Sequence, residues 1–161
     1  MEDEAPLVAA EDDFGLLSMV IANGFTDAVL ARLAEGGFDD AKFAHGFVVQ
    51  GLLAGDRTIT ELVDRLGISV QAVSKTVQEM EALGYLERAR DPEDGRAWTL
   101  AMTPRMRESI ALSRRARLET QQRLLARLGP ERSAAALDTL RELADEFGGL
   151  EALAARRLRP R

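Results

Sequence analysis

The sequence predicts a mainly α-helical chain carrying one small β-wing, and three observations predict it. Apolar residues recur at helical spacing through most of its 161 residues. Between Leu86 and Met102 the period changes to alternation, as in strands. Between the alternating runs stands Asp91-Pro92-Glu93-Asp94-Gly95, with Asp opening a turn, Pro at its second position and a Gly free to adopt positive φ, so the strands read as a hairpin.

Taken in order, residues 1–13 read as an acidic, disordered, solubilising tail, with an autoinhibitory role over the binding face of the protein as the alternative. From Phe14 to Leu33 apolar residues (Leu17, Val20, Ile21, Phe25, Val29, Leu33) are too dense for one thin stripe, so this helix needs cover on several sides. Glu35-Gly36-Gly37 breaks it, and Phe43, Phe47, Val48, Leu52 and Leu53 mark a second helix ahead of Gly55. Thr58 followed by Glu61 has the form of a capping box, which starts a helix near Ile59 with Leu62, Val63 and Leu66 on one face. Gly67 can take the left-handed conformation that closes it. Ser69 caps the next helix, whose buried stripe is Val73, Val77, Met80 and Leu83. Opposite lie Gln71, Ser74, Lys75 and Gln78, spaced to share one strip of surface.

In the hairpin, Leu86, Leu100 and Met102 are expected to face inward and Glu87, Arg88, Arg90 and Thr99 outward, with Trp98 packed where the hairpin meets the body. Thr103 as N-cap and Pro104 at the first position open a long helix reaching Leu128, which Gly129-Pro130 stops. A last helix sets Leu137, Leu140, Ala144 and Phe147 along a seam resembling that of a coiled coil. Gly148-Gly149 ends it, and the Arg-rich tail reads as solvated.

Helix, Gly turn, helix and hairpin in this order describe a winged helix-turn-helix, in which the second helix enters the major groove of DNA. Gln71, Ser74, Lys75 and Gln78 are then the candidate reading strip, with Arg88 and Arg90 as candidate DNA contacts on the wing. Arg96, just past the tip, can reach a minor groove or phosphates, and an ion pair with Asp91 or Asp94 is the plain alternative.

The stretch ELVDRLGISVQAVSKTVQEMEALGYLERARDPEDGRAWTLAMTP resembles the MarR (multiple antibiotic resistance regulator) family of transcription factors in its helix-turn-helix, its D-P-x-D-x-R wing and the Thr that opens the next helix. The resemblance places Gln71, Ser74 and Lys75 on the recognition helix and Asp91, Asp94 and Arg96 on the wing, where the two aspartates support it. Val70 and Gly95 depart from the family pattern, where basic or polar residues are frequent, and remove possible phosphate contacts. The resemblance further implies a homodimer paired through its terminal helices, with recognition helices about 34–36 Å apart on a pseudo-palindromic operator in double-stranded DNA. It also implies small aromatic or anionic ligands held between the dimer helices and the DNA-binding lobe, a site that Phe25, His45 and Phe47 could border. His45, set among apolar residues, otherwise reads as a packed, hydrogen-bonded core residue.

The regions so expected are an acidic tail (1–13), a helical dimerisation region (14–35 and 103–147), a winged helix-turn-helix (38–102) and an Arg-rich tail (148–161). The absence of cysteine excludes disulfides and thiolate metal sites. One histidine, no phosphate-binding Gly-rich loop and no metal-ligand cluster give no catalytic constellation, no metal and no cofactor. No apolar run is read as approaching the roughly 18 residues that span a bilayer, and no secretory pattern opens the chain, so a cytoplasmic location is expected. Charge runs against the nucleic-acid reading: the chain is −6 overall, and residues 57–96 hold six basic groups against eight acidic. That balance keeps an alternative in view, a helical interaction protein that retains the fold without binding DNA.

Overall fold

The structure, a computed structural model, describes residues 10–90 and 98–157. A 3-10 turn at Ala10–Asp12 leads into α1 (Phe14–Glu35), followed by α2 (Phe43–Ala54), α3 (Ile59–Leu66) and α4 (Val70–Ala82). Strands β1 (Leu86–Arg90) and β2 (Trp98–Met102) pair antiparallel, Leu86 opposite Met102 and Arg90 opposite Trp98. Three helices complete the chain: α5 (Pro104–Leu128), α6 (Pro130–Glu146) and α7 (Gly149–Ala154).

Helix boundaries follow from their caps. Thr58 Oγ1 accepts the Glu61 N–H at 3.2 Å, while the Glu61 carboxylate accepts the N–H groups of Arg57 and Thr58 at 2.8 Å each. Gly67 at φ 63 then turns the chain, and Ser69 accepts from the Ala72 N–H to start α4. Thr103 caps α5 through the Met106 N–H, and its hydroxyl also bonds the carbonyls of Gly84 and Tyr85, so the end of the hairpin is tied to the start of the long helix.

The core lies between α2, α3, α4 and the hairpin, where Leu62, Leu66, Val73, Val77 and Met80 are almost wholly buried, joined by Val48, Tyr85, Leu86 and Leu100. The Leu100 N–H donates to the Arg57 carbonyl at 2.7 Å, so β2 has a backbone partner on each edge. Alongside this lobe α5 packs against α1, burying Leu33 and Met106.

Several expectations are corrected. Thr99 is buried rather than outward, its short side chain donating to the Ala89 carbonyl at 3.4 Å across the hairpin. Trp98 is 53% exposed rather than packed, because its indole lies under the Arg90 guanidinium instead of against the body. Beyond Gly148 the chain is not a purely solvated tail: α7 buries Ala152, and Arg65 on α3 donates to the Ala155 carbonyl at 2.8 Å. α1 is long and apolar enough to cross a membrane by length and composition, with 22 residues and a mean hydropathy of 1.5 over an 18-residue window. Asp27 and Arg32 interrupt it, which is why no unbroken apolar run is read in the sequence. Of the acidic tail, residues 1–9 lie outside the described residues, while Asp13 caps α1 through the Leu16 N–H. The wing tip with Asp91, Asp94 and Arg96 lies outside them too.

Candidate nucleic-acid interface

The surface of interest is built on α4. With Val73, Val77 and Met80 fixed in the core, the helical period turns Gln71, Lys75 and Gln78 to solvent, and leaves Ser74 half-buried beside them. The side chains of this strip are uncharged apart from Lys75, so they offer donors and acceptors suited to base edges and one cation suited to phosphate. Val70, at the start of α4, is 59% exposed and adds an apolar spot to the same end of the helix.

The hairpin supplies the next cations. Arg88 is not free to roam, since its Nε donates to Glu81 Oε1 at 2.8 Å and Nη2 to Oε2 at 3.4 Å, fastening β1 to the end of α4. Arg90 stacks 4.1 Å over the centroid of Trp98, an arrangement that fixes a cation at the base of the wing. The sequence puts both arginines on the wing strand but does not show what each rests on.

Two polar clusters hold α4 and the hairpin against the rest of the molecule. Asp40 accepts from the Tyr85 hydroxyl and from Arg105 Nη2, at 2.9 and 3.0 Å for its two oxygens, and Arg105 also lies 4.8 Å over the Tyr85 ring. Burial, then the Asp40 hydrogen bond, push the Tyr85 phenol up to about 12. Burial acts to raise Asp40, but the Tyr85 hydroxyl and Arg105 together hold it below its ordinary value. In the second cluster the Lys42 ammonium pairs with Glu79 of α4, and Glu79 Oε2 lies 3.7 Å from His45 Nε2. His45 Nδ1 accepts the Lys42 N–H at 3.2 Å, so the neutral ring carries its proton on Nε2. Burial lowers the His45 pKa in spite of Glu79, and the ring is therefore neutral near pH 7.

Behind α4 a cavity of about 480 Å³ opens between α1, α2, α5 and α7. Its apolar wall includes Leu30, Phe43, Phe47, Met106 and Ile110. Of Phe25, His45 and Phe47, the last two line it and Phe25 does not. Nothing in the sequence marks Arg114, Arg117, Arg156 and Arg157 as joining them, because these residues lie many tens of positions from α2. Among the described residues no group of three or more His, Cys, Asp or Glu could hold a metal ion.

Comparisons with known proteins agree with this geometry. Residues 49–97, from the second half of α2 to the far side of the wing, match the model of the MarR family. An uncharacterised HTH-type transcriptional regulator of Bacillus subtilis, YdgJ, is 26% identical over 93 residues, covering 58% of this chain, and the chain spans 57% of that relative's length. The crystal structure of the transcriptional regulator Tm0710 from Thermotoga maritima is 28% identical, covers 84% of this chain and 94% of its own, and superposes with a TM-score of 0.57. BpsR of Bordetella bronchiseptica, described for the regulation of its DNA binding by 6-hydroxynicotinic acid, has the same fold at 20% identity and a TM-score of 0.59, covering 88% of this chain and 99% of its own.

Proposed function

Because the chain belongs to the MarR family of winged helix-turn-helix transcription regulators, we propose that it is a dimeric, sequence-specific DNA-binding protein, a repressor released by a small-molecule ligand. The observation that carries this reading is the strip on α4, where Gln71, Lys75 and Gln78 stand outward from a helix whose other face is locked in the core. In two copies related by a two-fold axis, such strips enter successive major grooves of a pseudo-palindromic operator. Gln71 and Gln78 read base edges, Lys75 meets phosphate, and Ser74 adds a short polar contact. Arg90 and Arg96 extend the contact along the wing, with Asp91 and Asp94 supporting its tip. Arg88 takes a smaller share, because Glu81 already neutralises it.

The dimer buries the apolar surface that one copy leaves open on α1, on α6 and just past the end of α6, including Val20, Ile21, Leu140 and Phe147. A ligand in the cavity releases DNA by favouring one spacing of the two lobes over the other. BpsR offers a parallel, since its DNA binding is regulated by 6-hydroxynicotinic acid. The second reading, a helical interaction protein without DNA binding, draws on exposed Val70 and on the acidic excess of residues 57–96.

Fluorescence anisotropy against the intergenic DNA upstream of the chain's own gene separates the two. Specific binding that weakens with salt, falls at least about tenfold in Lys75→Ala, and changes base preference in Gln71→Ala supports the regulator. Arg88→Ala is expected to cost less than Lys75→Ala. Indifference to sequence, or equal losses for Gln71→Ala on all sequences, defeats the assignment of base reading to α4.

A further inference from the structure

We propose that Trp98 is a positioning residue for DNA binding: its indole holds the Arg90 guanidinium flat at the base of the wing, so that the outer edge of the guanidinium grips one backbone phosphate beside the groove that α4 enters. The inference rests on the reading of the chain as a DNA-binding regulator and names how one wing contact is made. Arg90 and Trp98 stand directly opposite each other in the hairpin register, on the same face as the Arg88 and Leu100 pair. Nearer the body that face sends Leu86 and Leu100 into the core and ties Arg88 to Glu81 of α4. At Arg90 and Trp98 it has run past the lobe, and the indole is half exposed. What covers the ring is the cation across the hairpin, with Arg90 Cζ 4.1 Å from the ring centroid. On β2 the small Thr99 is buried and the large indole beside it is not, an order that packing alone does not favour.

The partner of a cation decides what the cation can still do. Arg65, Arg88 and Arg105 are paired with the carboxylates of Asp56, Glu81 and Asp40, which offset the charge that a phosphate would meet. An indole attracts a guanidinium through its π face and leaves the positive charge in place, with the N–H donors directed outward in the plane of the group. That edge matches two oxygens of a phosphate. Stacking also fixes a long side chain in advance, so less rotamer freedom is lost when DNA binds. The arrangement matters in this chain because residues 57–96 carry a net charge of −2 and hold few cations for phosphate.

The full chain is titrated with the intergenic DNA upstream of its own gene and with unrelated DNA, read by fluorescence anisotropy at several salt concentrations. Arg90→Gln should weaken both DNAs alike and make the salt slope shallower by about 1.8, as for two phosphates per dimer. Trp98→Ala leaves Arg90 charged, yet it should lose about five- to twentyfold over the two wings, and Trp98→Phe should recover most of that. Trp98→Leu keeps apolar bulk without a π face, so it should fall with Trp98→Ala. Added to Arg90→Gln, Trp98→Ala should cost no more than about a further twofold. Trp98 is the only tryptophan in the chain, so wild type supplies a readout that needs no variant to fold. Acrylamide quenching of its emission should fall when the intergenic DNA binds. Unchanged quenching, recovery by Trp98→Leu as full as by Trp98→Phe, or a full further loss for Trp98→Ala on top of Arg90→Gln overturns the positioning role and leaves DNA binding standing. Failure of wild type to prefer the intergenic DNA overturns both.

Discussion

At the scale of single residues, the hydroxyl of Tyr85 links the end of the recognition helix to Asp40 and Arg105. Its raised pKa fixes the sign of its contribution to stability. An unfolded tyrosine ionises near 10, so the interaction is fully present below about pH 10. It is lost as the pH rises from there through the folded value of about 12. Asp40, held below its ordinary 3.8, adds stability that is present above that value and lost as the pH falls toward its folded pKa. Tyr85→Phe keeps the buried ring and removes the bond, so it should cost about 1–2 kcal/mol at pH 7. Urea unfolding at pH 7, 10 and 11.5 would show the gap between variant and wild type narrowing at the alkaline end. A gap that stays constant to pH 11.5 would mean that the hydroxyl is not what stabilises this corner.

At the scale of elements, the close approach of α2 to α3 depends on one missing side chain. A Cβ at Gly51 would stand 2.3 Å from Leu62 Cδ2 and 3.0 Å from Asp56 Oδ2, in a region where Leu62 is wholly buried. Gly51→Ala therefore gains helix propensity of about 1 kcal/mol but forces α3 or the Leu62 side chain aside, at a typical cost of about 1–3 kcal/mol. A lowered thermal midpoint is expected; a raised one would show that α2 and α3 are free to separate. Nothing in the local sequence marks Gly51 for this role, whereas Gly67 sits between a helical stripe and a Ser cap and announces its turn. The contrast holds throughout the fold. The caps at Thr58, Ser69 and Thr103 form within three or four residues, and so they are legible in the sequence. The recognition strip is legible because the stripe opposite it is unbroken. Trp98 and Thr99 escape the sequence reading because their partners, Arg90 and Ala89, stand on the opposite strand of the hairpin and not on the body, and α7 escapes it because six residues of helix are too few for periodicity to register. The arginines that line the cavity belong to the same class, since Arg114 and Arg117 of α5 join Arg156 and Arg157 there only after the whole chain has folded.

At the scale of the molecule, charge and apolar surface point to the same requirement. Residues 57–96 carry a net charge of −2, so one lobe neutralises few phosphates and gains little nonspecific affinity. One copy also leaves Val20 63% exposed on α1 and Phe147 75% exposed just past the end of α6. Pairing two copies would cover that surface and turn the second lobe's binding into an intramolecular event, which raises affinity without any new cation. Ile21 lies within the exposed face of α1 and is half exposed in the single copy. Ile21→Glu should therefore leave the fold intact, because the carboxylate stays in water when the copies are apart. In the pair it would be buried and unpartnered, which is costly enough to separate them at micromolar concentration. Light scattering is expected to give a dimer for wild type and a 17.6 kDa monomer for the variant. Circular dichroism should show the same helix content for both, and operator affinity should fall at least about a hundredfold in the variant. A variant that remains dimeric would put the subunit contact elsewhere than α1. A monomer that binds the operator as tightly as wild type would mean that one lobe suffices, despite its acidic balance.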